Sequence, residues 1–458
     1  MLPSGHNTSR ALFYAVTLIS FRFGVLRLDN LSRRGLIFFC MKANKWFLLF
    51  LAVCLVFSLA ACGGGGGGSD TTADNGNGDD PAGGGNGGGN GGDNGGGSGG
   101  GNSAPAGPWL CFTALKAGST VSTTNVYGTV TYTPSIEFST DGENWEPFDL
   151  NTGDDATNTK VTLANAGDKV YLRATGTNDS FSADGKCIKF TMKGSIAASG
   201  NVMSLLDKTC TSTTIPCDNC FSRLFSGCSA LKTAPELPAV DLTNNCYDYM
   251  FYWCTDLTTA PRLPAMTLAS HCYSRMFYNC SSLTEPPVLP ATTLAEYCYN
   301  CMFQQCYSLQ TAPVLPVKVL KDSCYSGMFY SCTSLTEAPN LPATTLANSC
   351  YGSMFGECEK LQTAPVLPAA TLVDYCYKNM FSGCSNLNSI TVHFMDWDVA
   401  TDATSHWVRD VADSGEFHCP AGLIDHDPLL DSDFGEDKIP KNSSYKWTVI
   451  TDVPEPAP

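Results

Sequence analysis

Positive charge is scarce: 27 Lys and Arg stand against 43 Asp and Glu in 458 residues, a net charge of -16. That balance argues against nucleic acid or an anionic lipid surface as the partner. Histidine is scarcer still, at His6, His271, His393, His406, His418 and His426. Catalytic signatures are missing as well. There is no Ser-His-Asp elbow, no HExxH, no P-loop and no GxGxxG after a strand. Carboxylate pairs exist, but context marks none out for glycoside hydrolysis. The expectation is therefore a protein that is not an enzyme, with no cofactor and no metal. Two short acidic segments do not change it. Asp149 to Asp155 lacks the spacing and closing Glu of an EF-hand. Asp425-His426-Asp427 reads as a solvated loop.

Glycine and cysteine are abundant, at 43 and 23 residues. The glycines concentrate behind an N-terminal segment with the marks of an export signal. Met41-Lys42-Ala43-Asn44-Lys45 is basic, Trp46 to Leu59 is apolar, and Leu59-Ala60-Ala61-Cys62 follows. Small residues directly before a cysteine resemble the bacterial lipobox. The resemblance implies cleavage before Cys62, lipid attachment on its thiol and membrane contact through that lipid. A good signal at 41–62 makes residues 1–40 a mis-assigned start or a disordered leader. Residues 63–107 are Gly, Asn, Asp and Ser with almost nothing to bury, and are expected to stay a flexible linker. About 45 such residues span roughly 35–40 Å on average. Asp70, Asp74, Asp79 and Asp80 resemble surface-export signals of some Gram-negative lipoproteins, which implies an outward-facing outer-membrane location.

Residues 108–200 alternate apolar and polar positions: Ile136 and Phe138; Val161 and Leu163; Val170 and Leu172; Ile188, Phe190 and Met192. Turns such as Ser139-Thr140-Asp141-Gly142 separate them. This pattern predicts a small all-β, sandwich-like antiparallel domain. Cys111 and Cys187 are its cysteines, either a disulfide or two buried thiols.

From Cys220 the chain repeats the unit C-Y-x-x-M-F-x-x-C-x-x-L-x-x-A-P-x-L-P-A-x-x-L-A-x-x. One cysteine column runs from Cys220 to Cys376 and another from Cys228 to Cys384, every step being 26 residues through seven copies. Phe225 to Phe381 and Leu231 to Leu387 keep the same step. A fixed period in this range means a solenoid. One unit has too few large apolar side chains to offset the ordering of its backbone, so neighbours must bury each other's columns. Leu-x-x-Ala-Pro-x-Leu-Pro reads as a short strand, because the prolines block a helix. Cys-Tyr-x-x-Met-Phe-x-x-Cys, with apolar residues three to four apart, reads as a short helix or 3₁₀ turn. One strand and one helical turn per coil is the leucine-rich-repeat plan. The repeats are assigned 201–394, with 395–458 as a C-terminal cap and tail carrying Trp397, Trp407, Val408 and Phe417.

The cysteine columns are open to three readings. Cys-x7-Cys is not a zinc spacing, and no His column accompanies it. If the unit is helical, cysteines eight apart lie about 12 Å from each other at 1.5 Å per residue, beyond a disulfide's reach. Buried thiols acting as small hydrophobes is the favoured reading.

The Met-Phe-x-x-Cys-x-x-Leu core and the Leu-Pro step resemble the BspA-like leucine-rich repeats of bacterial cell-surface proteins over about 201–394. The chain departs from them in having Met-Phe where Ala-Phe is usual. The resemblance implies a surface-displayed binding or adhesion protein whose partner is a protein of a host or neighbouring cell. No ligand motif carries over. Among the variable positions, Tyr252, Trp253, Tyr278 and Tyr330 form a candidate aromatic stripe. The alternative function is glycan binding by the 108–200 domain.

Overall fold

The computed structural model describes residues 108–125, 134–150, 159–183, 186–424, 435, 437–440 and 446–455. The leader, the signal segment with Cys62 and the glycine-rich segment lie outside the described residues. So do 151–158, most of the acidic loop, and Asp425-His426-Asp427.

Thirteen strands are present among the described residues: β1 Leu110–Ala114, β2 Ser119–Asn125, β3 Ile136–Ser139, β4 Glu146–Pro147, β5 Val161–Leu163, β6 Lys169–Ala174, β7 Ser182–Ala183, β8 Lys186–Lys193, β9 Ile196–Ser199, β10 Leu231–Thr233, β11 Ser389–Thr391, β12 Ser414–His418 and β13 Lys446–Ile450. The first nine build the N-terminal strand region. One sheet has the order β10-β9-β1-β6-β3-β4, and a second β5-β2-β8-β7. The alternation explains the burial. Leu110, Phe112, Val170, Leu172, Ile188 and Phe190 are all fully buried. Asp141 closes the β3–β4 turn by accepting the N–H groups of Glu143 and Asn144, which holds its carboxyl far below the usual range. Gly200, at φ 71°, ends β9 where a Cβ would collide with the Trp109 carbonyl.

No sheet break separates this region from the repeats. β9 pairs in parallel with β10 of the first coil, and Ile196 donates to the Ala230 carbonyl. One contiguous core runs from Leu110 to Ile439.

The helical turn expected in each unit is absent. Among the described residues the only helical segments are two 3₁₀ turns, Val202–Leu205 and Ala421–Leu423. In its place each coil is a chain of β-turns in which backbone donors alternate. In the second coil Met250 N–H bonds back to the Tyr247 carbonyl and Cys254 N–H to that of Phe251. Between them, Tyr247, Tyr249, Phe251 and Trp253 donate to Cys272, Ser274, Met276 and Tyr278 of the next coil, at 2.8–3.1 Å. Every second N–H therefore leaves the coil for the carbonyl 25 residues ahead. Such turns need a left-handed residue at every fourth position: Asn245 (φ 57°), Tyr249 (57°) and Trp253 (61°). The same triplet recurs as His271, Arg275, Asn279 and as Tyr297, Cys301, Gln305. The inward residues come in adjacent pairs four apart, which resembles helical spacing over one short segment. The α-helical bond would be i to i−4; here it is i to i−3 or out of the coil.

Inward side chains form continuous ladders. Phe225, Phe251, Phe277, Phe303, Phe329, Phe355 and Phe381 stack with centroids 5.4–5.8 Å apart and planes within 9°. Tyr247, Tyr273, Tyr299, Tyr325, Tyr351 and Tyr377 form a second ladder at 5.8–6.0 Å. Each such pair adds about 0.5–1.5 kcal/mol beyond burial. The extended Pro-containing segments pair less regularly. Parallel bridges such as Thr233 to Thr259 and Thr267 to Thr293 hold the 26-residue step. Two prolines per unit remove the donors a full ladder would need.

The array continues past residue 394. Tyr375, Tyr377, Asn379, Phe381 and Gly383 donate to Thr401, Ala403, Ser405, Trp407 and Arg409, now 26 ahead. Asp402, His406 and Asp410 take the left-handed positions. This eighth coil carries one extra residue and puts Trp407 and Val408 where Met and Phe stood. β11, β12 and β13 then close the end as a parallel sheet.

Two stability outcomes follow. Tyr273 buries a hydroxyl with no hydrogen-bond partner, so Tyr273→Phe should raise unfolding stability by about 1 kcal/mol in urea titration. Gln305 sits at φ 62°, so Gln305→Val should cost about 1–3 kcal/mol, whereas Gln305→Gly should cost nothing. Loss of stability in Gln305→Gly equal to that in the valine variant would contradict the left-handed geometry.

Candidate functional site

The turn geometry sorts side chains. In the sequence Asn245 to Cys254, residues 246, 247, 250, 251 and 254 are buried, while 245, 249, 252 and 253 face outward. The cysteine columns belong wholly to the inside. Cys254, Cys280, Cys306, Cys332, Cys358 and Cys384 each place Sγ 3.0–3.2 Å from the Phe carbonyl 29 residues earlier. That carbonyl already accepts one backbone N–H, as Phe251 does from Cys254. The thiol therefore supplies a second donor, and the column is more than the small hydrophobe the pattern suggested. Burial pushes these thiols up, to about 12 for Cys306 and well above the usual value for Cys254. That shift favours the S–H form that donates to each carbonyl. Among the described residues no group of three or more His, Cys, Asp or Glu is arranged to hold a metal ion. Cys111 on β1 and Cys187 on β8 lie in different sheets. No disulfide joins them, and burial raises the Cys111 thiol.

The outward face gathers three of the four aromatics expected there. Tyr252 and Tyr278 lie 4.9 Å apart, and Trp253 6.2 Å from Tyr252. Trp253 is 48% exposed. Tyr330 does not join them. Gln304 occupies its column in the coil between, and the Tyr330 ring instead covers Gly356, where a Cβ would meet it at 2.8 Å. Three further residues complete the cluster. Tyr249 packs 5.1 Å from Tyr252. Arg223 lies 3.8 Å over the Tyr249 ring and Arg275 5.2 Å from it, on opposite neighbouring coils. Reading the column Arg223, Tyr249, Arg275 at the 26-residue step would have found them.

Beneath this face lies Asp248, with one carboxylate oxygen buried and unpartnered. Burial pushes its pKa up to about 7, against the downward pull of Arg223, Ser274 and Arg275. A second exposed row lies on the Pro-x-Leu-Pro edge, where Val288 and Val314 are 79% and 78% exposed.

Residues 208–328 and 322–395 match the model of the BspA type leucine rich repeat region, in six copies. The repeats are leucine-rich repeats. No curated protein and no solved structure matches the chain. Within the leucine-rich repeats the buried positions are nearly uniform from coil to coil. The outward ones differ, which concentrates individuality on the face that carries Trp253.

Burial of Asp248 predicts a pH-dependent stability of the leucine-rich repeats. Its folded value lies above its ordinary 3.8, so the folded chain binds a proton that the unfolded chain releases. Stability should thus be greatest at the acid end of this window and fall as pH rises from about 4 through 7. Asp248→Asn should flatten that part of the profile and stabilise the protein at pH 8, as read by urea unfolding at pH 5 and pH 8.

Proposed function

We propose that the chain is a surface-displayed, lipid-anchored binding protein whose repeat solenoid holds a protein ligand of a host or neighbouring cell. The observation that carries the reading is the exposed cluster of Tyr249, Tyr252, Trp253 and Tyr278 flanked by Arg223 and Arg275. Trp, Tyr and Arg are the residues that dominate binding energy at protein interfaces, because they bury large rigid area and keep a polar edge. A leucine-rich-repeat family match supports a role in protein interaction. The anchor is Cys62, and the glycine-rich segment is the spacer that holds the array away from an outer membrane. The reading assigns binding to the protein, and no catalysis.

A second reading has one observation in its favour. On the N-terminal strand region, proposed to be a sandwich, Trp109 and Trp145 meet edge to face at 5.0 Å, and Arg173 lies 3.6 Å over Trp145. Both rings are half-buried. Such a platform suits the apolar face of a sugar, so a glycan would bind there and not on the repeats.

Two measurements test these readings. Tyr252→Ala with Trp253→Ala should cost about 2 kcal/mol or more of binding, roughly a 30-fold weaker affinity for extracellular-matrix or cell-surface proteins. Trp145→Ala should leave that binding unchanged. Loss only in Trp145→Ala, on a glycan array, favours the second reading. For the anchor, Cys62→Ala should move the protein from the membrane fraction to the soluble one. Equal membrane retention of variant and wild type would sink the lipid attachment.

A further inference from the structure

The first coil differs from the others just before its first column cysteine. Cys217 follows Pro216, and the turn residues Asp218 and Asn219 lead from it directly into Cys220, giving Cys-x-x-Cys. In the later coils the position of Cys217 is taken by Thr243, Ala269, Ala295, Lys321, Ala347 and Val373. Residues 218–220 form a turn with Asn219 left-handed at φ 59°. The ends of a four-residue turn lie within about 7 Å, a Cα separation that overlaps the range of a disulfide. The two side chains lie close enough to perturb each other's titration.

Their environments are unequal. Cys217 is half-exposed, and its thiol donates to the Asp179 carbonyl at 3.1 Å. Cys220 is fully buried. Hydrogen bonds from the Cys220 thiol and from Ser180 lower Cys217 to about 6, against desolvation and the carboxylates of Asp218 and Asp179. Burial and the same contact raise Cys220 well above the usual value. An accessible sulfur that ionises near neutral pH beside a sheltered one that does not is the arrangement of an attacking and a resolving thiol. The ladder cysteines lack this pairing, since each is buried in its own column.

We propose that Cys217 and Cys220 form a redox-active dithiol that exchanges with external disulfides. The Cys217 thiolate attacks one sulfur of a disulfide R–S–S–R, forms a mixed disulfide and releases one thiolate, which takes up a proton. Cys220 then attacks the Cys217 sulfur, its proton passing to the second thiolate as that group leaves. The protein dithiol is oxidised to a Cys217–Cys220 disulfide, and R–S–S–R is reduced to two thiols. Ionisation of Cys217, made permanent by closure, removes the S–H that it gives to Asp179, a contact between the N-terminal strand region and the first coil. The proposal is independent of the binding reading above.

The test uses the full chain with glutathione disulfide as the probe. After exposure and acid quenching, trypsin cuts at Lys208 and Arg223 release one peptide holding Cys210, Cys217 and Cys220. The expected product is two hydrogens lighter, with fragmentation placing the bridge between Cys217 and Cys220. In Cys220→Ser the same treatment should leave one glutathione trapped on Cys217. In the unmodified protein at pH 6.5, iodoacetamide should label Cys217 roughly tenfold faster or more than any ladder cysteine. Glutathione retained on wild-type Cys217, a bridge to Cys210 instead, or a Cys217 no more reactive than the ladder would each overturn the proposal. The labelling rate is read on wild-type protein, so it stands even if the serine variant fails to fold.

Discussion

Each coil of the array gives away every second backbone N–H. Donors such as Tyr247 and Phe251 leave their own turn for carbonyls 25 residues ahead, and the remaining donors close β-turns within the coil. A backbone that alternates in this way must reverse its sense at regular intervals, and left-handed residues at every fourth position do so. Most of these are not glycine, and each costs about 1–2 kcal/mol relative to right-handed backbone. Neighbouring coils offset that cost with hydrogen bonds, stacked rings and buried thiols. A single coil would have the strain without the compensation, which is why the unit exists only as an array.

From this constraint the two faces follow. Adjacent inward pairs four residues apart give ladders of Tyr, Phe, Met and Cys, and identical residues recur because each must fit against its copy above and below. The second cysteine column also completes the Phe carbonyls of the preceding coil, which neither serine's stronger polarity nor alanine's missing donor would reproduce in so apolar a setting. Most left-handed positions face outward or lie half-buried and need only tolerate positive φ. Asn, His, Tyr, Arg, Trp, Gln and Ser all appear there. Chemistry for recognition can therefore vary from coil to coil without disturbing the packing.

The ends show how the ladders are closed. Phe190 of β8 stacks on Phe225 at 5.5 Å, and Phe181 meets Phe221 at 6.5 Å, so the N-terminal strand region supplies the ring that a preceding coil would have provided. Cys228 correspondingly donates to the Phe190 carbonyl at 3.1 Å. At the other end Trp407, fully buried, contacts Tyr377, Phe381 and Phe394. A larger indole covers both ladders at once, and its N–H is satisfied by the Lys438 carbonyl at 2.7 Å.

Much of this was legible in the residues alone. The 26-residue period, the identity of the inward columns, the alternating strands of 108–200 and the aromatic meeting of Tyr252, Trp253 and Tyr278 are all set by spacing, because period decides which side chains share a face. Four features were not. Apolar pairs four apart fit a helix over nine residues, and only the hydrogen bonds to the next coil distinguish β-turns from it. The eighth coil escaped because one inserted residue breaks the 26-residue register while leaving its backbone intact. The thiol-to-carbonyl bonds join atoms 29 residues apart, a relation that exists only once coils are stacked. Tyr330 was sorted by lateral contact, its ring covering Gly356 of the neighbouring coil. Sequence thus determined which residues face in and which face out. Tertiary structure decided what each outward or polar atom meets, because those partners come from a different turn of the chain.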